Sequence, residues 1–301
     1  MPVSNTLDMV KKGLTAAQIK WIALILMTVD HLGAFGFEIP AIGRYYTRLR
    51  AVGRLAMPLF LFLLVQSIRH TRSKPRFLLR LYVAGMCTEL FVAATNFFLG
   101  DLFGVHSPGN ILFSFFYAAL YILLIEACAS ALRARRFAAA LLPVLAGAAV
   151  TLLPAAVCEG IEGLFSGETG IRYMILRHDL LRAFLPSVWG VDYGWGLAAL
   201  GAALYFARTK RRQCAVFGGF CLLCAAGAVL LPADLGPIGY TYIGSFINTF
   251  CTLSQCRMVL ALPLMMLYNG RRGRGPKWLF YIYYPTHRYV ISIVSHLLCT
   301  V

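Results

Sequence analysis

Lys20-Trp-Ile-Ala-Leu-Ile-Leu-Met-Thr-Val-Asp30-His31-Leu-Gly33 sets a Lys, an Asp and a His into one otherwise apolar run near the start of the chain. A run of this kind reads as a membrane helix. Ionisable groups at that depth are costly, so they mark either chemistry or a tightly paired structural contact. Ten residues separate Lys20 from His31, which in a helix is roughly 16 Å, about half of a ~30 Å hydrocarbon core. With Lys20 at one interface, His31 falls at or just beyond the membrane centre.

Outward from this run the chain keeps the same character. Of its 301 residues, 59% are apolar and 13% charged, and the mean hydropathy is +0.72. That is far too apolar for a soluble domain. The chain reads as an all-α polytopic transmembrane helix bundle of about nine to ten spans, a single domain over 1–301, multi-pass in the cell (cytoplasmic) membrane. Spans are expected near 19–37, 52–69, 78–99, 110–131, 138–158, 189–207, 214–232, 243–268 and 279–299. Met1 to Gly13 is polar and carries no apolar core, so no removable signal peptide is expected and the first span acts as the insertion signal.

Basic residues fall between alternate spans. One loop carries Arg69, Arg72, Lys74, Arg76 and Arg80; others carry Arg133, Arg135 and Arg136, then Arg208, Lys210, Arg211 and Arg212, then Arg271, Arg272, Arg274 and Lys277. The connections around Asp101 and Asp234 have no Lys or Arg. By the positive-inside rule the N-terminus, with 1–18 including Lys11 and Lys12, is cytoplasmic. Orientation and the lipid bilayer therefore account for most of the +16 net charge without nucleic acid. Two regions break the pattern. Arg44, Arg48 and Arg50 lie in the first outer loop, with Arg54 just inside the second span. The extracytoplasmic connection 159–188 mixes Glu159, Glu162, Glu168 and Asp179 with Arg172, Arg177, His178 and Arg182, and its length calls for an interfacial or re-entrant helix.

Several chemistries lose their footing at once. The nine cysteines are scattered, and the Cys221/Cys224 pair sits inside an apolar span with no second pair at metal-ligand spacing, so no metal is expected. Gly-x-Ser-x-Gly, Walker and dinucleotide fingerprints are missing. What remains is a set of polar residues that the topology would bury. His31 suits general-base or covalent catalysis near neutral pH. Asp30 belongs to the catalytic set or to an ion pair, with Arg54 as the natural partner. Arg54, Glu89 and Asn110 are the substrate or oxyanion candidates, set against a buried pair, an interhelical hydrogen bond and a helix cap respectively. Asn248, Gln255 and Arg257 read as interhelical glue. Tyr284 and His287, three apart behind Pro285, would line a cofactor or merely kink the last span.

The order of motifs resembles the TraX family of membrane proteins. Lys-x10-His with Asp30-His31 is followed by Gly53-Arg-Leu-Ala-Met-Pro-Leu-Phe60, by His70-Thr-Arg ahead of Leu-Leu-Arg80-Leu, and by Glu89. Asn110-Ile-Leu-Phe, Asp192-Tyr-Gly-Trp-Gly, Leu267-Tyr-Asn-Gly-Arg-Arg-Gly273 and Phe280-Tyr-Ile-Tyr-Tyr-Pro-Thr-His287 continue it over nearly the whole chain. The resemblance implies an acetyltransferase, its founders acetylating the N-terminal amine of a conjugative pilin. The first-helix motif is also similar to that of acyltransferase-3 type membrane enzymes, which move acetyl groups from cytoplasmic acetyl-CoA to acceptors across the membrane. Together these imply a catalytic role for His31 and an accompanying basic role for Lys20.

The expected chemistry is then acetyl transfer from acetyl-CoA to an amine or hydroxyl on an acceptor peptide, glycan or small amine. The CoA phosphates would be held among Lys20, Arg72, Lys74, Arg76 and Arg80, with Arg271, Arg272 and Arg274 as the other available set. Tyr284 and His287 would face the cofactor. A polytopic transporter with a midplane proton or substrate site is the competing reading.

Overall fold

The computed structural model describes residues 13–37, 39–103, 110–165, 171–231, 242–275 and 279–299. Lys11, Lys12, Glu168, Asp234 and Lys277 lie outside the described residues, as do the side chains of Asp101 and Arg172. Described residues form helices in chain order: α1 (Ala16–Phe35), α2 (Tyr46–Gly53), α3 (Ala56–His70), α4 (Lys74–Phe103), α5 (Ile111–Arg133), α6 (Phe137–Leu164), α7 (Ile171–Phe184), α8 (Gly194–Phe206), α9 (Lys210–Leu230), α10 (Tyr242–Phe250) and, after three short helical pieces between Leu253 and Met266, α11 (Leu279–Cys299). The fold among these residues is all-α, with one isolated bridge between Leu14 and Tyr268.

Helices occur at each expected span, but they are not equally able to cross a bilayer. Five segments, Tyr46–His70, Lys74–Gly100, Ile111–Arg133, Phe137–Leu164 and Lys210–Leu230, have the length and apolarity to cross. A sixth would be Ile243–Phe250 with Leu253–Met266, which bends by 61° where Thr252 caps a new helical start. α8 is only 13 residues long, about 20 Å, short of a ~30 Å core. α1 and α11, at 20 and 21 residues, have the length but fall outside those segments, and both carry ionisable side chains.

The chain divides into two compact units, one of Met1–Ser67 with Ala203–Val301, the other Ile68–Ala202. In the first, α1 and α11 run side by side. Trp21 meets the Phe280 ring at 5.6 Å, Thr28 meets the Tyr283 hydroxyl at 2.7 Å, and His31 meets His287. Because both sets of numbers rise together, the two helices are parallel. Their contacting stripes, 21, 28, 31 and 280, 283, 287, are spaced by three, four or seven residues, which puts the side chains on one helical face.

The start of α1 is held from two directions. Thr15 and Gln18 form a capping box, the Gln18 N–H donating to Thr15 Oγ1 and the Thr15 N–H to Gln18 Oε1. The next orphan donors, the N–H groups of Ala16 and Ala17, donate to the carbonyls of Arg271 and Arg272 at 2.8 and 2.9 Å. The loop after Met266 therefore serves as a backbone collar for the first helix.

In the second unit, α5 and α7 both run antiparallel to α4. Lys74 pairs with Glu126, the Tyr82 ring meets those of Phe113 and Phe116 at a tilt, and Asn110 reaches Gly85 and Glu89. A Cβ on Gly85 would lie 2.7 Å from the Phe113 ring, so the absent side chain lets α5 approach. Along α4, Tyr82, Glu89 and Asn96 in turn meet Phe184, Arg182 and Asp179 of α7. The stretch 159–188 holds α7, which lies along α4. The turn that follows is pinned by Ser114 Oγ to the Asp192 carbonyl and by Trp189 Nε1 to the Thr151 carbonyl.

Candidate functional site

α1 and α11 bring His31 and His287 together. His287 Nε2 lies 3.0 Å from His31 Nδ1, the rings meet edge to face, and Phe35 and Tyr283 stack on the outer sides of His31 and His287 respectively. His287 is buried and His31 half-buried.

The neighbouring carbonyls determine which nitrogen carries each proton. His287 Nδ1 sits 2.7 Å from the Tyr283 carbonyl, and His31 Nδ1 sits 2.9 Å from the Met27 carbonyl. A carbonyl oxygen only accepts, so both Nδ1 atoms are N–H donors in the neutral pair. His287 Nε2 then offers its lone pair to the His31 Nδ1–H, which it shares with Met27. The opposite assignment would leave two lone pairs facing each other at His31 Nδ1. His31 Nε2 is left with an unshared lone pair and no hydrogen-bond partner among the described residues. This is the arrangement of a base whose far nitrogen is oriented by a second group.

Tyr283, on which His287 rests, is fixed in turn. The Thr28 hydroxyl donates to the Leu24 carbonyl at 2.9 Å, so the Tyr283 hydroxyl donates to Thr28 Oγ1. The Tyr284 ring lies 6.3 Å from that of His287, tilted against it, and its hydroxyl accepts from Arg288 Nη1 at 3.4 Å.

Asp30 does not orient His31. Its Oδ2 pairs with Arg50 of α2, which replaces the expected Arg54 as the direct partner. Close approach explains the choice: a Cβ on Gly53 would overlap Asp30, reaching 2.6 Å from its Cα, so the bare glycine seats α2 against α1, and Arg50 lies on the same helical face as Gly53. Arg54 still acts on Asp30 through its charge, and Asp30 Oδ1 and Arg54 Nε are buried with no hydrogen-bond partner among the described residues.

Glu89 and Asn110 meet in the second unit. Asn110 is fully buried and caps α5, accepting from the Leu112 N–H at 3.1 Å while its amide donates to the Gly85 carbonyl and Glu89 at 2.8 and 3.0 Å. Arg182 reaches Glu89 at 3.4 Å. These groups are spent on one another, which is how a membrane protein carries an ionised side chain at depth. Arg72, Arg76 and Arg80 also belong to this unit, and Arg76 and Arg80 lie on the first turns of α4. Gln255 is buried within its short helix. Among the described residues, no three His, Cys, Asp or Glu side chains are grouped to hold a metal ion.

Arg50, Thr28, Tyr283 and Arg182 were not singled out from sequence. Thr28 and Tyr283 carried a usable signal, each lying three or four residues from a singled-out His on the same helical face. Arg50 carried only its place in a loop where cations are unexpected.

Fold and site together define a polytopic all-α membrane protein with a histidine pair between its first and last helices. The chain belongs to the TraX protein family, which matches residues 15–295. It is also 27% identical, over 91% of its own length and 92% of the other's, to a probable fimbrial assembly protein FimC, serogroup H1, of Dichelobacter nodosus. No solved structure matches it.

Proposed function

We propose that this protein is a membrane acetyltransferase that takes an acetyl group from cytoplasmic acetyl-CoA and gives it to an amine or hydroxyl of an acceptor presented at the extracytoplasmic side. The observation that carries this reading is the contact of His287 Nε2 with His31 Nδ1 beside the Met27 carbonyl, which leaves His31 Nε2 to act. In the reaction, the acceptor nitrogen or oxygen forms a bond to the acetyl carbonyl carbon as His31 Nε2 takes its proton. The carbon–sulfur bond then breaks, and the CoA thiolate leaves and recovers that proton from His31. Protonated His31 keeps its Nδ1–H on the neutral Nε2 of His287, so His287 stabilises the imidazolium much as a carboxylate does in a triad.

Membership in the TraX family, linked to pilin acetylation, supports this class of reaction, and the fimbrial assembly protein of Dichelobacter nodosus supports an acceptor exported from the cell. Lys20, near the start of α1, suits the CoA phosphates, and Arg72, Arg76 and Arg80 of the other unit are a separate candidate set. Arg54, with its buried Nε, suits the developing oxyanion.

The same imidazole pair would serve a proton-coupled transporter, and one measurement separates the two. Purified protein in uncharged detergent, given labelled acetyl-CoA and a mixture of peptide, glycan and small amine acceptors, should release CoA thiol and yield a labelled acceptor. Release of no thiol by that protein, with proton uptake in its proteoliposomes, would establish the transporter instead.

A further inference from the structure

Asn269-Gly-Arg-Arg-Gly-Arg-Gly275 is the collar loop on the start of α1, and its build is that of an anion site. Two glycines in the left-handed region, Gly270 at φ 79° and Gly273 at φ 72°, turn the chain sharply. Backbone bonds fix its place: Leu14 N–H to the Leu267 carbonyl, Asn269 N–H to the Leu14 carbonyl, and the two bonds from Ala16 and Ala17 already described. A Cβ on Gly273 would lie 2.6 Å from Thr15 Oγ1, so the loop sits directly on the helix. Three guanidinium side chains, of Arg271, Arg272 and Arg274, are exposed on this fixed frame. Lys20 stands beside them, its Nζ 3.9 Å above the Phe280 ring and within reach of the charge on Arg272.

Among the described residues these cations have no counter-charge of their own. In the unit that holds them, Asp30 is the one carboxylate among the described residues, and it is taken by Arg50. A fixed cluster of like charges without an internal anion calls for an external one, and planar guanidinium forks favour phosphate. From Lys20 the α1–α11 seam leads to His31, roughly 16 Å away along the helix. A pantetheine arm has the backbone of about four extended residues, about 14 Å, before its diphosphate adds further length.

We infer that the Arg271–Arg274 loop, with Lys20, binds the phosphate-bearing nucleotide end of acyl-CoA, so that the thioester lies along the seam toward His31. This rests on the acyl-CoA reading above and moves the nucleotide contacts from Arg72, Arg76 and Arg80 to the collar. A phosphate on an anionic lipid shares this chemistry, and the test separates the two.

Calorimetry in uncharged detergent would measure binding of CoA, of dephospho-CoA and of dioleoylphosphatidylglycerol to the full-length protein. Replacing all three collar arginines by Ala should weaken CoA at least tenfold, and each alone severalfold, with the KM for acetyl-CoA rising and kcat nearly unchanged. Dephospho-CoA should lose less, and CoA affinity should fall as salt rises. The exposed triple Arg133→Ala, Arg135→Ala, Arg136→Ala should bind CoA as wild type does. If the collar triple binds CoA normally, the site is overturned, and a loss confined to phosphatidylglycerol would make it a lipid contact. Absence of CoA binding by the wild-type protein would instead remove the acyl-CoA reading itself.

Discussion

At the residue scale, the consequential contact is one that joins two histidines lying at opposite ends of the chain. His31 could be picked out because it lies deep in an apolar run, and His287 because it shares a face with Tyr284, but nothing in either run tells that they touch. The pairing depends on which helices are neighbours, and a single sequence does not carry that information. The account gives the two rings unequal parts. His287 only accepts from the His31 Nδ1–H, so Gln, whose amide oxygen can also accept, should partly replace it. His287→Ala should lower kcat by about ten- to a hundredfold with KM for acetyl-CoA little changed, the scale on which orienting partners act. His287→Gln should recover part of that loss, and a ¹⁵N spectrum of the wild-type imidazoles should show His31 protonated at Nδ1. Equal loss in both variants, or a spectrum with the His31 proton on Nε2, would contradict the assignment.

At the element scale, the sequence made the helices legible and left their breaks obscure. Apolar length located the helices to within a few residues, but among the described residues five segments, or six with the bent pair, have the length and apolarity to cross where nine were expected. The 61° bend before Leu253 and the shortness of α8 depend on backbone turns at Thr252 and at Tyr193, whose φ is 61°. Such turns are settled by their surroundings, here by Ser114 and Trp189 gripping the turn before α8. The same holds for Gly53, whose missing side chain is legible only once Asp30 lies against it. The parallel course of α1 and α11 is the element-level claim on which the site depends. In a cysteine-free background, Trp21→Cys with Phe280→Cys should be linked by a short bismaleimide, and Trp21→Cys with Val294→Cys should not, since fourteen residues of helix put about 21 Å between the two positions on α11. Linking of the second pair without the first would mean the helices run antiparallel.

At the scale of the whole molecule, each compact unit has its own polar centre and the two differ in kind. In the unit of Ile68–Ala202, Glu89, Asn110 and Arg182 satisfy one another around the buried start of α5. Closure of that sort favours a lock that holds α4, α5 and α7 in register over a site that must bind and release. Among the described residues, the unit of Met1–Ser67 with Ala203–Val301 keeps an imidazole nitrogen without a hydrogen-bond partner at one end of a seam and cations without a carboxylate partner at the other. A lone pair and a cation cluster open to ligands are what a two-substrate transfer needs, so the proposed chemistry is assigned to that unit. Its most direct test is His31→Ala, assayed for acetyl transfer and for CoA binding in the same preparation. General-base loss is worth about 10²- to 10⁴-fold. The account predicts acetyl transfer reduced on that scale while CoA affinity and thermal stability stay near wild type. Acetyl transfer by the variant at the wild-type rate would contradict it.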